Sequence, residues 1–169
     1  SIFMSLSRLA GIIGSDGHLM KNENGIVIVN RDLEFLREEV IPLMKKFTKR
    51  KISISKSSCG YGDFKYLLRV WDKNLLEKIQ KEYGIPRGKK NGVKLPKLSP
   101  KKEMEFLLGW IAGDGSVTHE RKRPKIEIWS TDRKLLVRFQ KILLKRNISS
   151  SMFQASNNRS ILRVSKIRD

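Results

Sequence analysis

Cysteine is almost absent. Cys59 is the only one in 169 residues, which excludes a disulfide framework. Together with two histidines in no finger-like spacing, it also excludes a structural zinc site. No apolar run approaches the length of a membrane-spanning helix, so no membrane partner is expected. The stretch SIFMSLSRLAGIIGSDG lacks a basic leader and runs straight into periodic structure. The expectation is therefore an intracellular protein, cytoplasmic or nucleoid-associated, and not a secreted one. Acidic residues are scarce as well: 17 Asp+Glu face 36 Lys+Arg, a formal net charge of +19. A compact body with that excess repels itself. The basic residues run along the whole chain rather than forming a tail, which points to a polyanionic partner, above all nucleic acid. A merely solubilising surface is the alternative, and thermophilic lysine enrichment would bring Glu with it. The 39% hydrophobic content is still globular, and the length suggests one domain or two small ones sharing a core.

What is there is an internal repeat. Ile26, Ile28, Asp32 and Leu36 recur as Ile126, Ile128, Asp132 and Leu136, and Leu68-Arg69-Val70 recurs as Leu162-Arg163-Val164. Upstream, Gly11-Ile12-Ile13-Gly14-Ser15-Asp16-Gly17 faces Gly109-Trp110-Ile111-Ala112-Gly113-Asp114-Gly115. Three matches in one order imply duplication. Each half reads as an apolar helix (4–15 and 101–113), two strands and an amphipathic helix (32–48 and 132–146). A second strand pair follows, at 51–56 with 64–71 and at 148–154 with 160–165. The first half adds a helix near 73–83. The second half reads as ending before an equivalent helix. The fold class is thus α+β, a pseudo-twofold duplicated αββαββ(α) repeat with antiparallel saddle-like sheets and helices on one face. Residues 1–84 form the first repeat, 85–100 a basic linker, and 101–169 the second repeat. The face opposite the helices carries Lys51, Ser53, Ser55, Lys65 and Arg69 in one half. In the other it carries Lys125, Glu127, Trp129, Arg159 and Arg163. A basic, polar sheet face of this kind can lie on nucleic acid.

The two apolar helices hold the chemistry. Small residues at Ala10 and Gly14, and at Gly109, Ala112 and Gly113, share a helical face and predict close helix–helix contact. Both helices end in Asp-Gly, with Gly17 and Gly115 suited to a positive-φ position after the helix. Asp16 and Asp114 oppose the helix dipole there, and repel one another if the helices are parallel. Divalent cations would relieve both costs, which reads as a metal site for phosphodiester chemistry. A plain Asp-Gly turn explains one copy; two copies at equivalent repeat positions favour the metal site.

Leu9 to Gly17 resembles the nine-residue signature of the LAGLIDADG homing endonucleases, and Leu107 to Gly115 is a more divergent copy. The resemblance covers nearly the whole chain and is to single-chain members with two pseudo-symmetric halves. It implies a monomeric, site-specific endonuclease that hydrolyses double-stranded DNA at a long asymmetric target, leaving short 3′ overhangs. It implies Mg²⁺ held by Asp16 and Asp114, with the backbone carbonyls of Ser15 and Gly113 as further ligands. Mn²⁺ is expected to substitute, and Ca²⁺ to bind without supporting cleavage. Gly92-Val93-Lys94-Leu95-Pro96 is similar to a linker run that carries a catalytic lysine in some members. Lys94 is therefore the candidate, with Lys89 and Lys90 as rivals or as DNA contacts. Asn30 and Ser130 stand where the family tends to hold water-organising polar residues. The alternatives on the same fold are an RNA-splicing maturase, with intron RNA as partner, and a DNA-binding protein that has lost cleavage.

Overall fold

The structure, a computed structural model, describes residues 1–88, 92–114, 116–120 and 123–164, with the backbone alone for residues 3, 116–120, 123 and 124. The order is α1 (Ile2–Asp16), β1 (Gly17–Leu19), β2 (Gly25–Asn30), α2 (Leu33–Phe35), a π-helical turn (Leu36–Val40), α3 (Ile41–Met44), β3 (Ile52–Gly60), β4 (Asp63–Trp71) and α4 (Lys73–Tyr83). The second half runs α5 (Pro100–Asp114), β5 (Ser116–Glu120), β6 (Arg123–Ser130), α6 (Arg133–Leu144), β7 (Ser151–Gln154) and β8 (Ser160–Val164). Two antiparallel four-stranded sheets result, ordered β1-β2-β4-β3 and β5-β6-β8-β7. The duplicated α+β architecture expected from the repeat is the one observed.

Register assigns the two faces. Ile26 opposes Val70, which opposes Ile52, and Ile28 opposes Leu68, which opposes Ile54. Residues opposed in a ladder share a face, and Ile26, Ile28, Leu68 and Val70 are fully buried. The alternate set, Val27–Arg69–Ser53 and Val29–Leu67–Ser55, faces the other way. In the second sheet, Ile128–Leu162–Met152 faces the core and Glu127–Arg163–Ser151 the far side. The tips of the β3–β4 and β7–β8 hairpins use left-handed backbone: Tyr61 and Gly62 have φ of 54° and 78°, and Asn157 and Asn158 of 60° and 59°. Two successive positive φ values make the turn whose twist suits a two-residue hairpin.

α1 and α5 pack against each other at the centre. A side chain at Gly11 would collide with the carbonyl oxygen of Phe106, and one at Gly109 with the backbone of Arg8. The helices therefore run parallel, in a register that brings their C-terminal ends together. Gly11 and Gly109 are equally close points of this contact, whereas Ala112, expected in it, is exposed. A second expectation also fails. Gly17 has φ −126° and ψ −170°, an extended conformation open to any residue. Glycine is needed there because a Cβ would meet the carbonyl oxygen of Val27 on β2. Gly115 lies outside the described residues.

The helix expected over 32–48 is broken into three pieces. Pro42 has no N–H to give to Glu38, and its ring crowds that carbonyl. The chain widens into a π turn, in which Ile41 N–H reaches Leu36 O. α6 has no proline and runs unbroken, capped by Asp132 as α2 is capped by Asp32. One core joins the halves through Tyr83, Phe106, Trp110 and Phe139; Tyr83 stacks on Phe106 at 5.9 Å and Trp110 meets Phe139 edge-on at 5.4 Å.

Candidate active site and nucleic-acid interface

The parallel register delivers both acids to one place. Asp16 and Asp114 end α1 and α5 and line a single open cleft of about 520 Å³, joined by Asn30, Arg31, Lys65 and Gly113. The contact across the helix pair is tight. A Cβ on Gly113 would lie 3.2 Å from the Asp16 carboxyl carbon, and it would collide with Ser15 Oγ. Glycine at 113 is what lets one acid approach the backbone carrying the other. Asp16 is half-buried and Asp114 exposed.

Asn30 is held in a defined orientation. Its Oδ1 accepts from Asp32 N–H at 2.8 Å, which turns Nδ2 toward Asp16, and Nδ2 donates to Asp16 Oδ2 at 2.6 Å. Asp32 in turn caps α2 by accepting from Phe35 N–H at 3.1 Å. The second repeat rebuilds the same turn: Ser130 Oγ accepts from Asp132 N–H at 3.0 Å, and Asp132 accepts from Leu135 N–H at 3.1 Å. Ser130 presents one oxygen where Asn30 presents a separate acceptor and donor, and its O–H is the one donor it has left.

The expected cations divide. Lys65, on the solvent face of β4, lines the cleft. Lys94 does not; it is exposed, its N–H bonds to Gly84 O at 3.0 Å, and its carbonyl lies against Gly84 at the end of α4. The part of the connector that runs beside β1, just after Asp16, is Arg87–Gly88, where Gly88 N–H donates to Leu19 O at 2.7 Å. It leads into Lys89 and Lys90, which lie outside the described residues. Three cleft-lining residues escaped the sequence reading, Val29, Arg31 and Cys59. Arg31 directly follows Asn30, and that adjacency was the available signal. Cys59 sits in a β3 register that no local pattern reveals.

The solvent faces differ between the sheets. In the first, Ser53 and Ser55 are exposed, Arg69 donates to Ser55 Oγ at 2.9 Å, and Lys51 stands exposed just before β3. In the second, Glu127 pairs with Lys125 (3.7 Å) and Arg163 (3.4 Å) and accepts from Trp129 Nε1 at 3.2 Å. Arg159 lies over the Trp129 ring and Arg163 over Phe153. One face offers hydroxyls and lysine, the other arginines on aromatic rings around one carboxylate.

Residues 101–168 match the family described as LAGLIDADG-like domain. Among solved structures, mesophilic variants of the homing endonuclease I-DmoI match with a TM-score of 0.76 at 18% identity, over 97% of this chain and 84% of that one. I-DmoI in complex with DNA and Ca matches with a TM-score of 0.73 at 18% identity, over the same shares of both chains. The N-terminal LAGLIDADG domain of WhiA matches with a TM-score of 0.69 at 20% identity, over 99% of this chain and 77% of that one. Likeness at this identity establishes fold, and the chain has the duplicated LAGLIDADG fold. No curated protein sequence matches it significantly.

Proposed function

We propose that this protein is a site-specific, divalent-metal-dependent endonuclease acting on double-stranded DNA. The observation that carries the reading is the convergence of Asp16 and Asp114 on one cleft between two polar, cation-bearing sheet faces. DNA lies along those faces in this reading, with the single chain acting as a monomer on an asymmetric target, since the two faces differ. Solved I-DmoI structures hold DNA with Ca or with Mn, which supports DNA and a divalent cation as partners.

The donor set fits a hard cation: carboxylate oxygens of Asp16 and Asp114, with the carbonyls of Ser15 and Gly113 one residue before them. Among the described residues no cluster of three or more His, Cys, Asp or Glu forms, so further donors would come from carbonyls, water and phosphate oxygens. When bound, such a cation lowers the pKa of water and stabilises the charge on the leaving oxygen. The chain's own residues do the positioning. Asn30 fixes the orientation of the Asp16 carboxylate through Oδ2. Lys65 and Arg31 bring positive charge to a phosphate that becomes more negative during attack. We assign to Lys65 the charge-stabilising role that the resemblance gave to Lys94. Water attacks phosphorus, the P–O3′ bond breaks, and a 3′-hydroxyl and a 5′-phosphate result; cuts staggered across the minor groove leave short 3′ overhangs.

The test uses a duplex from the flanks of the encoding gene with its insertion removed, in Mg²⁺. Asp16→Asn and Asp114→Asn should each lower double-strand cleavage at least about a thousandfold, several kcal/mol of barrier, with affinity unchanged. Lys65→Met should slow single-turnover cleavage more than Lys94→Met does. Cleavage by both Asp variants at the wild-type rate would sink the assignment. Binding with no cleavage by the wild type would leave the cleavage-dead alternative in its place.

A further inference from the structure

The sheet faces are not the only basic surface. Residues 133–146, which contain α6, carry six Lys/Arg and no Asp/Glu, whereas the equivalent residues 33–46 carry three of each. Lys134, Arg138, Lys141 and Lys145 recur at i, i+4, i+7 and i+11, which puts them on one helical face over about 16 Å. The apolar stripe Leu135, Leu136, Phe139, Ile142 and Leu143 is buried on the opposite side.

Arg138 fixes where this basic face points. It donates to Glu103 at 3.0 Å and to the carbonyls of Leu95 (2.9 Å) and Pro96 (2.8 Å), which docks the stripe beside the connector and the first turn of α5. Lys145 also reaches Glu103 at 3.1 Å, yet its side chain stays 60% exposed. Lys97 follows Pro96, Lys101 precedes Glu103 by two residues, and both are exposed, as are Lys134 and Lys141. Glu103 is the carboxylate that Arg138 and Lys145 share. Gln140 is turned to the carbonyl of Ser150, and the stripe itself is all Lys and Arg, so it suits phosphates rather than base edges.

Position separates this surface from the cleft. It lies at the N-terminal end of α5, about 20 Å along the helix from Asp114. It belongs to the helix layer, whereas the expected DNA contacts stand on the far face of the sheets. A duplex lying on the sheets cannot reach it.

We propose that the α6 stripe, with Lys97 and Lys101, is a second binding surface for the phosphate backbone of a nucleic-acid duplex, so that one chain holds two segments at once. Mutual repulsion of these lysines is relieved when phosphates approach, with release of counterions. The inference does not depend on cleavage, only on charge and geometry.

A sandwich capture tests it. A random-sequence DNA duplex is immobilised, the protein is added at about 50 mM salt, and a labelled second duplex of unrelated sequence is offered, DNA in one arm and RNA in the other. The wild type should capture the second duplex, and the arm that succeeds identifies its source. K134E/K141E should lower capture at least about tenfold and leave binding to the first duplex within about twofold. It should also leave single-turnover cleavage unchanged. K78E/K81E on α4 makes the same change in net charge and should leave capture intact. The proposal is overturned if the wild type captures neither duplex. It is equally overturned if the stripe variant captures as the wild type does, or if the α4 variant loses as much, which would make net charge alone responsible.

Discussion

The two repeats agree at the strand-to-helix turns behind Asp16 and Asp114 and differ in much of what surrounds them. The strand-to-helix turns behind the acids match closely: Asp32 and Asp132 each accept from the N–H three residues on at 3.1 Å, and each gives its own N–H to the polar residue that ends the strand. Around them the halves diverge. β3 and β4 have nine residues each, against four and five in β7 and β8. Phe106, Trp110 and Phe139 fill one flank of the helix pair, and Trp110 packs on Gly14. Their counterparts by repeat offset are Arg8, Ile12 and Glu39, and there an open groove of about 450 Å³ remains. Duplication thus constrains the helix ends and the turns that aim side chains at them, and leaves packing free to diverge.

The largest expected effect breaks the contact the halves share. Gly11→Ala would gain about 1 kcal/mol of helix propensity. The Phe106 carbonyl occupies the space of the new methyl, and neither backbone can retreat without parting α1 from α5. A net loss of about 3 kcal/mol or more is expected by chemical denaturation. Ala112→Val, on the exposed side of α5, should stay within about 0.5 kcal/mol. Similar losses for both would mean the helices do not pack as described.

The next effect belongs to one half only. Glu103 is 3% exposed in its side chain and is held by Arg138 and Lys145. Its counterpart is Ser5, whose Oγ donates to Ser1 O at 3.3 Å and accepts from Lys46 at 3.4 Å, and the counterpart of Arg138 is the exposed Glu38. Arg138→Met leaves a buried carboxylate with a single exposed partner and frees two connector carbonyls. A loss of about 3 kcal/mol is expected in thermal or urea unfolding. Glu38→Met should change stability by about 0.5 kcal/mol at most. Equal effects would mean the buried ion cluster contributes nothing beyond a surface pair.

These contrasts also mark what the sequence could reveal. Repeat matches located α1, α5, the strand-to-helix turns and both acids, because apolar periodicity and capping residues act locally. The alternation of strand residues assigned Ser53, Ser55, Lys65 and Arg69 to the solvent face, as register confirms. The π turn was missed because it depends on how Pro42 is accommodated, and that is decided by the packing of Leu36 and Val40 on the core. The role of Gly11 was hidden because several small residues compete for one helical face and only the partner helix decides among them. No local pattern marks Glu103, whose burial goes with the Arg138 contacts to the connector carbonyls of Leu95 and Pro96. Cys59 enters the cleft through a hairpin whose reach depends on strand pairing.

A smaller effect compares the two acids directly. Asn30 restrains Asp16 through Nδ2, whereas Ser130 spends its oxygen on the Asp132 N–H and offers only a hydroxyl proton beyond it. Asn30→Ser makes the first half resemble the second. It should slow cutting of one DNA strand about tenfold, roughly 1.4 kcal/mol, so that nicked product accumulates. Ser130→Ala should slow the other strand less. Strand-resolved single-turnover assays measure both, and equal slowing of both strands by Asn30→Ser would remove the pairing of this residue with one acid.

The smallest effect concerns Asp72, which caps α4, an element whose counterpart would begin after β8, beyond residue 164 of the described chain. Asp72 accepts from Leu75 N–H at 3.1 Å and from the Thr48 hydroxyl at 2.6 Å. Burial pushes its carboxyl pKa up. The Thr48 hydroxyl, the Leu75 N–H and the charge of Arg50 outweigh that and hold it below the ordinary value. A carboxylate with a lowered folded-state pKa stabilises the protein fully above the unfolded-state pKa, about 3.9, and loses that contribution as pH falls through the folded-state value. Asp72→Asn keeps an acceptor for Leu75 but removes the charge. It should cost about 1 kcal/mol at pH 7, and the wild-type and variant unfolding curves should converge below about pH 4. A gap that stayed constant from pH 7 to pH 2 would show that the shape of the cap, and not its charge, holds α4 to the first repeat.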